Sequence, residues 1–231
     1  MMSEFLPRMI PIEQEEQILM ANKYRSVGLL KDFIPLKGYV CLAPDGVEQI
    51  KKQEIGIWIE RSFGEHAGFT DLDYADAGAD ILENSLSVIR ASNIVVKMEA
   101  FSLKELKFLK PNQIIVSSID IMQISQEYLT ILKEKNITAF AIDLIEDLDG
   151  NSILNNIFYR EESKMSVITA LGNFLYPILI TLAGSSNLRS TIQTNPALFQ
   201  SLYCYQGAIT CKKISEKANF PWTDFLSLLW N

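Results

Sequence analysis

The sequence predicts an α/β fold, a mainly parallel sheet flanked by helices, on three observations. Short runs rich in β-branched residues recur up to about residue 143. Their apolar residues come in blocks rather than in strict alternation, and the stretches between them are long enough for crossover helices. Blocks of this kind suit strands buried on both faces, which is the usual state of a parallel sheet covered by helices.

The elements follow in order. "YRSVGLL" (24–30) and "EIGIWIE" (54–60) read as strands, and "APDGVEQIKKQ" (43–53) between them reads as a helix opened by Pro44. "ASNIVVK" (91–97), "NQIIVSS" (112–118) and "ITAFAID" (137–143) are the next three strands. "SLKELKFLKP" (102–111) opens on a serine cap and ends at a proline, while "ISQEYLTILKEK" (124–135) sets Tyr128, Ile131 and Leu132 on one helical face. After "EDLDGNS" (146–152) the pattern changes. From Ser163 onward the chain reads mainly as helices, with "SNLRSTIQT" (186–194), a turn at Asn195-Pro196 and "TCKKISEKA" (210–218).

Within this C-terminal region, Met165 to Leu188 holds no charged residue, a length sufficient for a bilayer span of roughly 20 residues. Asn173, Pro177, two threonines and two glycines interrupt it, and it lacks an aromatic girdle. A buried helix, with no membrane partner, is the expectation.

Composition limits the chemistry. The 231 residues are 48% hydrophobic and 21% charged, within the range of folded globular proteins. A net charge of −7 argues against nucleic acid, whose binding needs a basic face. The three cysteines, Cys41, Cys204 and Cys211, form no CxxC pair, so neither a disulfide framework nor a zinc site is indicated and a reducing cytosol is expected. The N-terminal residues turn acidic where an export signal would continue apolar.

Local candidates for chemistry are few. His66, the only histidine, has no cysteine or second histidine beside it, which predicts a solvated loop residue and no metal site. Glu146, Asp147 and Asp149 precede Gly150, but a calcium loop in this register would begin at Ile145 and end at Asn156, so a surface turn is expected. No glycine-rich phosphate loop is present. Lys97 stands at the carboxyl end of a predicted parallel strand, where open α/β sheets bind ligands. A strand-end lysine can equally reach out to water.

Longer runs carry a resemblance. "LAPDGVEQI", "AGFTDLDYADAGADI", "NIVVKMEA", "LKPNQIIVSSI" and "ITAFAIDLIEDLDGN" occur in the order and spacing of the N-terminal domain of the alanine dehydrogenase and pyridine nucleotide transhydrogenase family. "TALGNFLYPILITLAG" and "NPALFQSLYCYQGAITCKKISEKANFPW" resemble the C-terminal segment of alanine dehydrogenases, so the likeness extends from about Tyr24 to Leu229. It implies a flavodoxin-like substrate domain built from both ends of the chain, here 24–160 and 163–231, with the C-terminal helices packed back on the sheet. Family members insert a nucleotide-binding Rossmann domain between those ends. Here "DLDGNSILNNIFYREESK" passes almost directly into the returning segment, so the nucleotide domain, and with it any cofactor, is expected to be lacking.

The resemblance also assigns residues. Lys97, in a Lys97-Met98-Glu99 context, matches the family lysine that binds the carboxylate or carbonyl of pyruvate and alanine. Tyr39 falls where the family has a substrate arginine, and Asp120 where some members have an acid/base histidine. A tyrosine offers one neutral donor where arginine offers two charged ones, and an anionic Asp120 repels a carboxylate. A 2-oxo acid would lose about 2–4 kcal/mol of charge-assisted contact. These departures leave no residue assigned a catalytic role. The favoured expectation is a non-catalytic interaction or regulatory module, as a homodimer or with a full-length dehydrogenase relative. It includes exposure of Phe174, Leu175, Ile178 and the ring of Tyr176 where the nucleotide domain would otherwise pack. The alternatives are a small-molecule binding module using the cleft at Lys97, and a substrate-domain subunit of an NAD-dependent dehydrogenase completed by another chain.

Overall fold

A computed structural model describes residues 26–32 and 38–230. The acidic N-terminal stretch and the first two residues of the predicted strand 24–30 lie outside the described residues. Among the described residues eight strands form one sheet in the order β3-β2-β1-β4-β5-β6-β7-β8. Strands β1 (Ser26–Leu29), β2 (Gly56–Glu60), β3 (Asp80–Leu82), β4 (Ile94–Val96), β5 (Ile114–Ser117) and β6 (Thr138–Ala141) pair in parallel.

The blocked apolar pattern has its cause in two-sided burial. Ile94 and Val96 face one core with Ile57, Ile59 and Phe140, while Val95 faces the other with Ile115 and Ala139. Helices α1 (Pro44–Lys51) and α7 (Lys164–Ala183) cover the first face; α3 (Ser85–Ala91), α4 (Leu103–Phe108) and α5 (Gln126–Glu134) cover the second. Side-chain caps set the helix starts: Thr70 and Asp73 form a capping box on α2 (Asp71–Asp76), Asn84 caps α3 and Ser102 with Glu105 boxes α4. Helix α3 crosses β1 so closely that a Cβ on Gly28 would lie 2.1 Å from Ser92 Oγ.

The C-terminal region does more than cover the sheet. After α8 (Leu188–Thr194) and α9 (Pro196–Ser201), strand β7 (Leu202–Tyr205) adds antiparallel to β6 and β8 (Ala208–Ile209) antiparallel to β7, and α10 (Lys212–Ala218) follows. The reading of this region as mainly helical therefore missed a hairpin. Its two-residue turn, Gln206-Gly207, has φ of 47° and 80°, the left-handed pair that a tight hairpin requires.

Burial corrects a second expectation. Leu175 is 1% and Ile178 6% exposed, both inside the core, and Phe174 and Tyr176 are partly buried against it. Helix α7 packs on α1, β1, α8 and the short α6 (Ile153–Arg160), so this chain's own elements cover it. Among the described residues it is the one helix long and apolar enough to cross a membrane, yet nine of its residues are buried in the fold. Between β6 and α7 the chain makes a single turn at Ile142–Leu144, a bridge from Glu146 to Ser152, and α6.

Candidate functional site

Strand order reverses between β1 and β4: the chain runs outward to β2 and β3 on one side and to β5 and β6 on the other. A reversal of this kind places a crevice at the carboxyl ends of the strands. A cleft of about 310 Å³ lies there, lined by Lys31 and Asp32 after β1, Glu60 at the end of β2, Lys97 after β4, and Tyr39 and His66.

Lys97 is held in by backbone and side-chain contacts together. Its N–H extends the sheet by donating to the Val116 carbonyl at 3.0 Å, and the residue is 3% exposed. A buried ammonium needs compensating charge. Nζ donates to Glu105 Oε1 at 3.0 Å and lies 3.6 Å from Glu99 Oε2. Glu105 is also the box residue of α4: its Oε2 accepts from the Ser102 N–H at 2.7 Å and from Ser102 Oγ at 2.6 Å.

Asp32 lies on the other side of the same crevice, and its Oδ1 accepts the Glu99 N–H at 2.9 Å. Burial pushes its carboxyl up to about 6, and the Glu99 charge adds to this, against backbone N–H donors from Glu99 and Met98 and the Lys97 charge. Glu60 Oε2 accepts the Lys31 N–H at 3.0 Å. Burial likewise pushes the Cys41 thiol up, with the Asp32 charge second, so Cys41 is an inert core residue.

The three residues assigned from the sequence separate. Lys97 and Tyr39 line the cleft together, the Tyr39 ring lying 5.6 Å from that of Phe158 on α6. Asp120 is exposed and closes its own turn, accepting from Met122 N–H at 3.0 Å and Gln123 Nε2 at 2.6 Å. It lines a different depression, with Ser102, Ile119 and Tyr128. His66, read as a loop histidine, is exposed but stands at the cleft, where its carbonyl accepts from Lys164 Nζ at 2.5 Å. Sequence reasoning missed Asp32, Glu60 and Glu105 in the cleft. The Ser102-x-x-Glu105 pattern was a readable cap signal shortly beyond Lys97, but it gave no sign of the ion pair.

What the site can hold follows from its donors. Among the described residues no three His, Cys, Asp or Glu side chains converge as a metal would require. A dinucleotide pyrophosphate needs free N–H groups from a glycine-rich turn at a helix start. Here the turn after β1 carries Asp32, the turn after β4 carries Glu99, and the Glu99 N–H is already given to Asp32. These residues do not fit a nicotinamide dinucleotide.

Comparison with known proteins agrees with the topology. The model of the family described as "Alanine dehydrogenase/PNT, N-terminal domain" matches residues 37–155. An NAD(P) transhydrogenase alpha-subunit protein of Rickettsia prowazekii (strain Madrid E) is 26% identical over 176 residues, 71% of this chain and 44% of that protein. NAD(P) transhydrogenase subunit alpha of Cereibacter sphaeroides is 30% identical over 155 residues, 64% of this chain and 28% of that protein. The chain thus spans less than half the length of these curated relatives. A solved L-alanine dehydrogenase shares the fold, with a TM-score of 0.71 at 12% identity over 83% of this chain and 98% of that one. On the match over residues 37–155, this chain belongs to the alanine dehydrogenase/PNT N-terminal domain family.

Proposed function

We propose that this chain is a small-molecule binding module, a substrate-type domain that holds its ligand over Lys97 and does not itself transfer hydride. One observation carries the reading: the cleft lies at the point where strand order reverses, at the carboxyl ends of β1, β2 and β4, with a buried ammonium at its floor. Hydride transfer requires cofactor and substrate carbons in near-attack contact, and the described residues of the cleft supply no dinucleotide seat. The short β6 to α7 connection supports a chain without an inserted nucleotide domain. An interaction or regulatory role has less support, because Leu175 and Ile178 are inside the core. Its three cysteines are unbridged and two are buried, in keeping with a reducing, cytosolic setting.

The test is a thermal-shift screen of amino acids, 2-oxo acids and small amines against the wild type and a His66→Trp variant, which fills the cleft mouth. A ligand specific for the native state must raise its melting temperature. At least one compound is expected to do so in the wild type and not in the variant, while NADH at millimolar concentration shows no saturable fluorescence change. A panel with no variant-sensitive shift removes the reading, and saturable NADH binding restores the dehydrogenase-subunit alternative.

A further inference from the structure

We infer that the cleft selects ligands bearing a positively charged amine over anionic 2-oxo acids, an inference that rests on the cleft being a binding site. The described lining sets three carboxylates, Asp32, Glu60 and Glu105, against the ammonium groups of Lys31 and Lys97, and Glu99 stands beside Lys97 as a fourth carboxylate. Their arrangement matters more than their number. The Lys97 ammonium, which an anionic ligand would need, is already committed to Glu105 at 3.0 Å and Glu99 at 3.6 Å. Glu105 cannot simply swing aside, since its other oxygen is fixed in the Ser102 cap. A 2-oxo acid entering here would displace one carboxylate and settle among the others, a like-charge placement that opposes binding.

An amine meets the reverse situation. The Lys97 ammonium whose charge reaches Asp32 is paired with two other carboxylates, and the Cys41 thiol is held neutral by burial. The Asp32 carboxyl, raised to about 6 first by burial and then by the Glu99 charge, is a partly buried anion that an added cation would stabilise. An ammonium placed between Asp32 and Glu60 would supply the missing charge and form charge-assisted hydrogen bonds. Tyr39 and Phe63, also in the lining, add aromatic rings of the kind that attract organic cations. The Tyr39 position, where the family resemblance predicts an arginine, thus carries no charge that would repel an amine. A volume of about 310 Å³ admits a small metabolite.

Calorimetric titration of the full chain at neutral pH and low ionic strength, with n-butylamine, putrescine, pyruvate and 2-oxobutyrate as probes, tests the inference. The amines are expected to bind at least about tenfold more tightly than the oxo acids. Asp32→Asn and Glu60→Gln, which preserve shape, should each weaken the amines about tenfold, and added salt should weaken them further. Oxo acids binding as tightly as amines, with His66→Trp abolishing both, would overturn the selectivity and leave the binding-module reading intact. Amine binding unchanged in both carboxamide variants would place it on the acidic surface outside the cleft and overturn the inference. Failure of all four probes also overturns it, and the broader thermal-shift panel then decides the reading beneath it.

Discussion

Glu105 joins two structures at once: one carboxylate oxygen caps helix α4 through Ser102, and the other pairs with the buried ammonium of Lys97 at 3.0 Å. The floor of the cleft is therefore tied to the start of a helix, so the position of Lys97 depends on a local cap that begins five residues beyond it.

Substitutions at this pair should separate the two roles. Glu105→Gln keeps the cap, since glutamine serves in a capping box, and is expected to cost about 1–3 kcal/mol by leaving Lys97 with Glu99 alone. Glu105→Ala loses cap and pair together and should cost about 3–5 kcal/mol. Combining Lys97→Met with Glu105→Gln should cost less than the sum of the two single changes, because the uncompensated buried charge is gone. Urea unfolding of the four variants checks all three expectations.

Asp32 predicts a pH dependence. Its folded-state value of about 6 lies above the ordinary 3.8, so the folded state holds the proton more tightly than the unfolded chain does. The stability this contributes is complete below about pH 4 and lost as pH rises through about 6. Asp32→Asn, which stays uncharged, should therefore stabilise the protein by about 3 kcal/mol above pH 7 and by almost nothing at pH 4. Melting curves of wild type and variant across that range give the answer, and an equal shift at both ends would contradict it.

Helix α7 provides a direct probe of burial. Leu175→Ala removes a side chain that is 1% exposed and should cost about 2–4 kcal/mol in chemical denaturation. On a bare surface the same change would cost a few tenths at most. A near-neutral result would mean that α7 waits for a partner.

Two glycines should respond in opposite directions to the same substitution. Gly28→Ala drives a methyl group into Ser92 Oγ at 2.1 Å and Val88 Cγ1 at 2.7 Å, an overpacking expected to cost about 3 kcal/mol. Gly172→Ala, inside α7, meets nothing nearer than Leu42 Cδ1 at 4.0 Å, and should stabilise by about 0.5–1 kcal/mol through helix propensity. Thermal unfolding of the two variants reads both signs.

The parallel strands were legible because a strand buried on both faces needs uninterrupted apolar residues, and "NIVVK" and "QIIVS" have them. Helix starts were legible where caps are local, as in Ser102-x-x-Glu105. Strand β7 was not. "LYCY" lacks β-branched residues, and what makes it a strand is its antiparallel pairing with β6, more than sixty residues away in sequence, which sets Cys204 opposite Ala139 and Leu202 opposite Phe140. The burial of Leu175 and Ile178 was hidden for the same reason, since an all-round apolar helix gives no sign of which neighbours cover it.

By itself the sequence determined the layered α/β architecture, the family, and Lys97 as a cation at a strand end, all of which rest on local pattern. The tertiary structure alone decided the character of the cleft. Asp32 meets the Glu99 N–H across 67 residues only because β1 and β4 are neighbours, whereas Asp120, close to Lys97 along the chain, turns into a depression of its own. Charge compensation depends on distance through space, and the pairing of strands sets that distance.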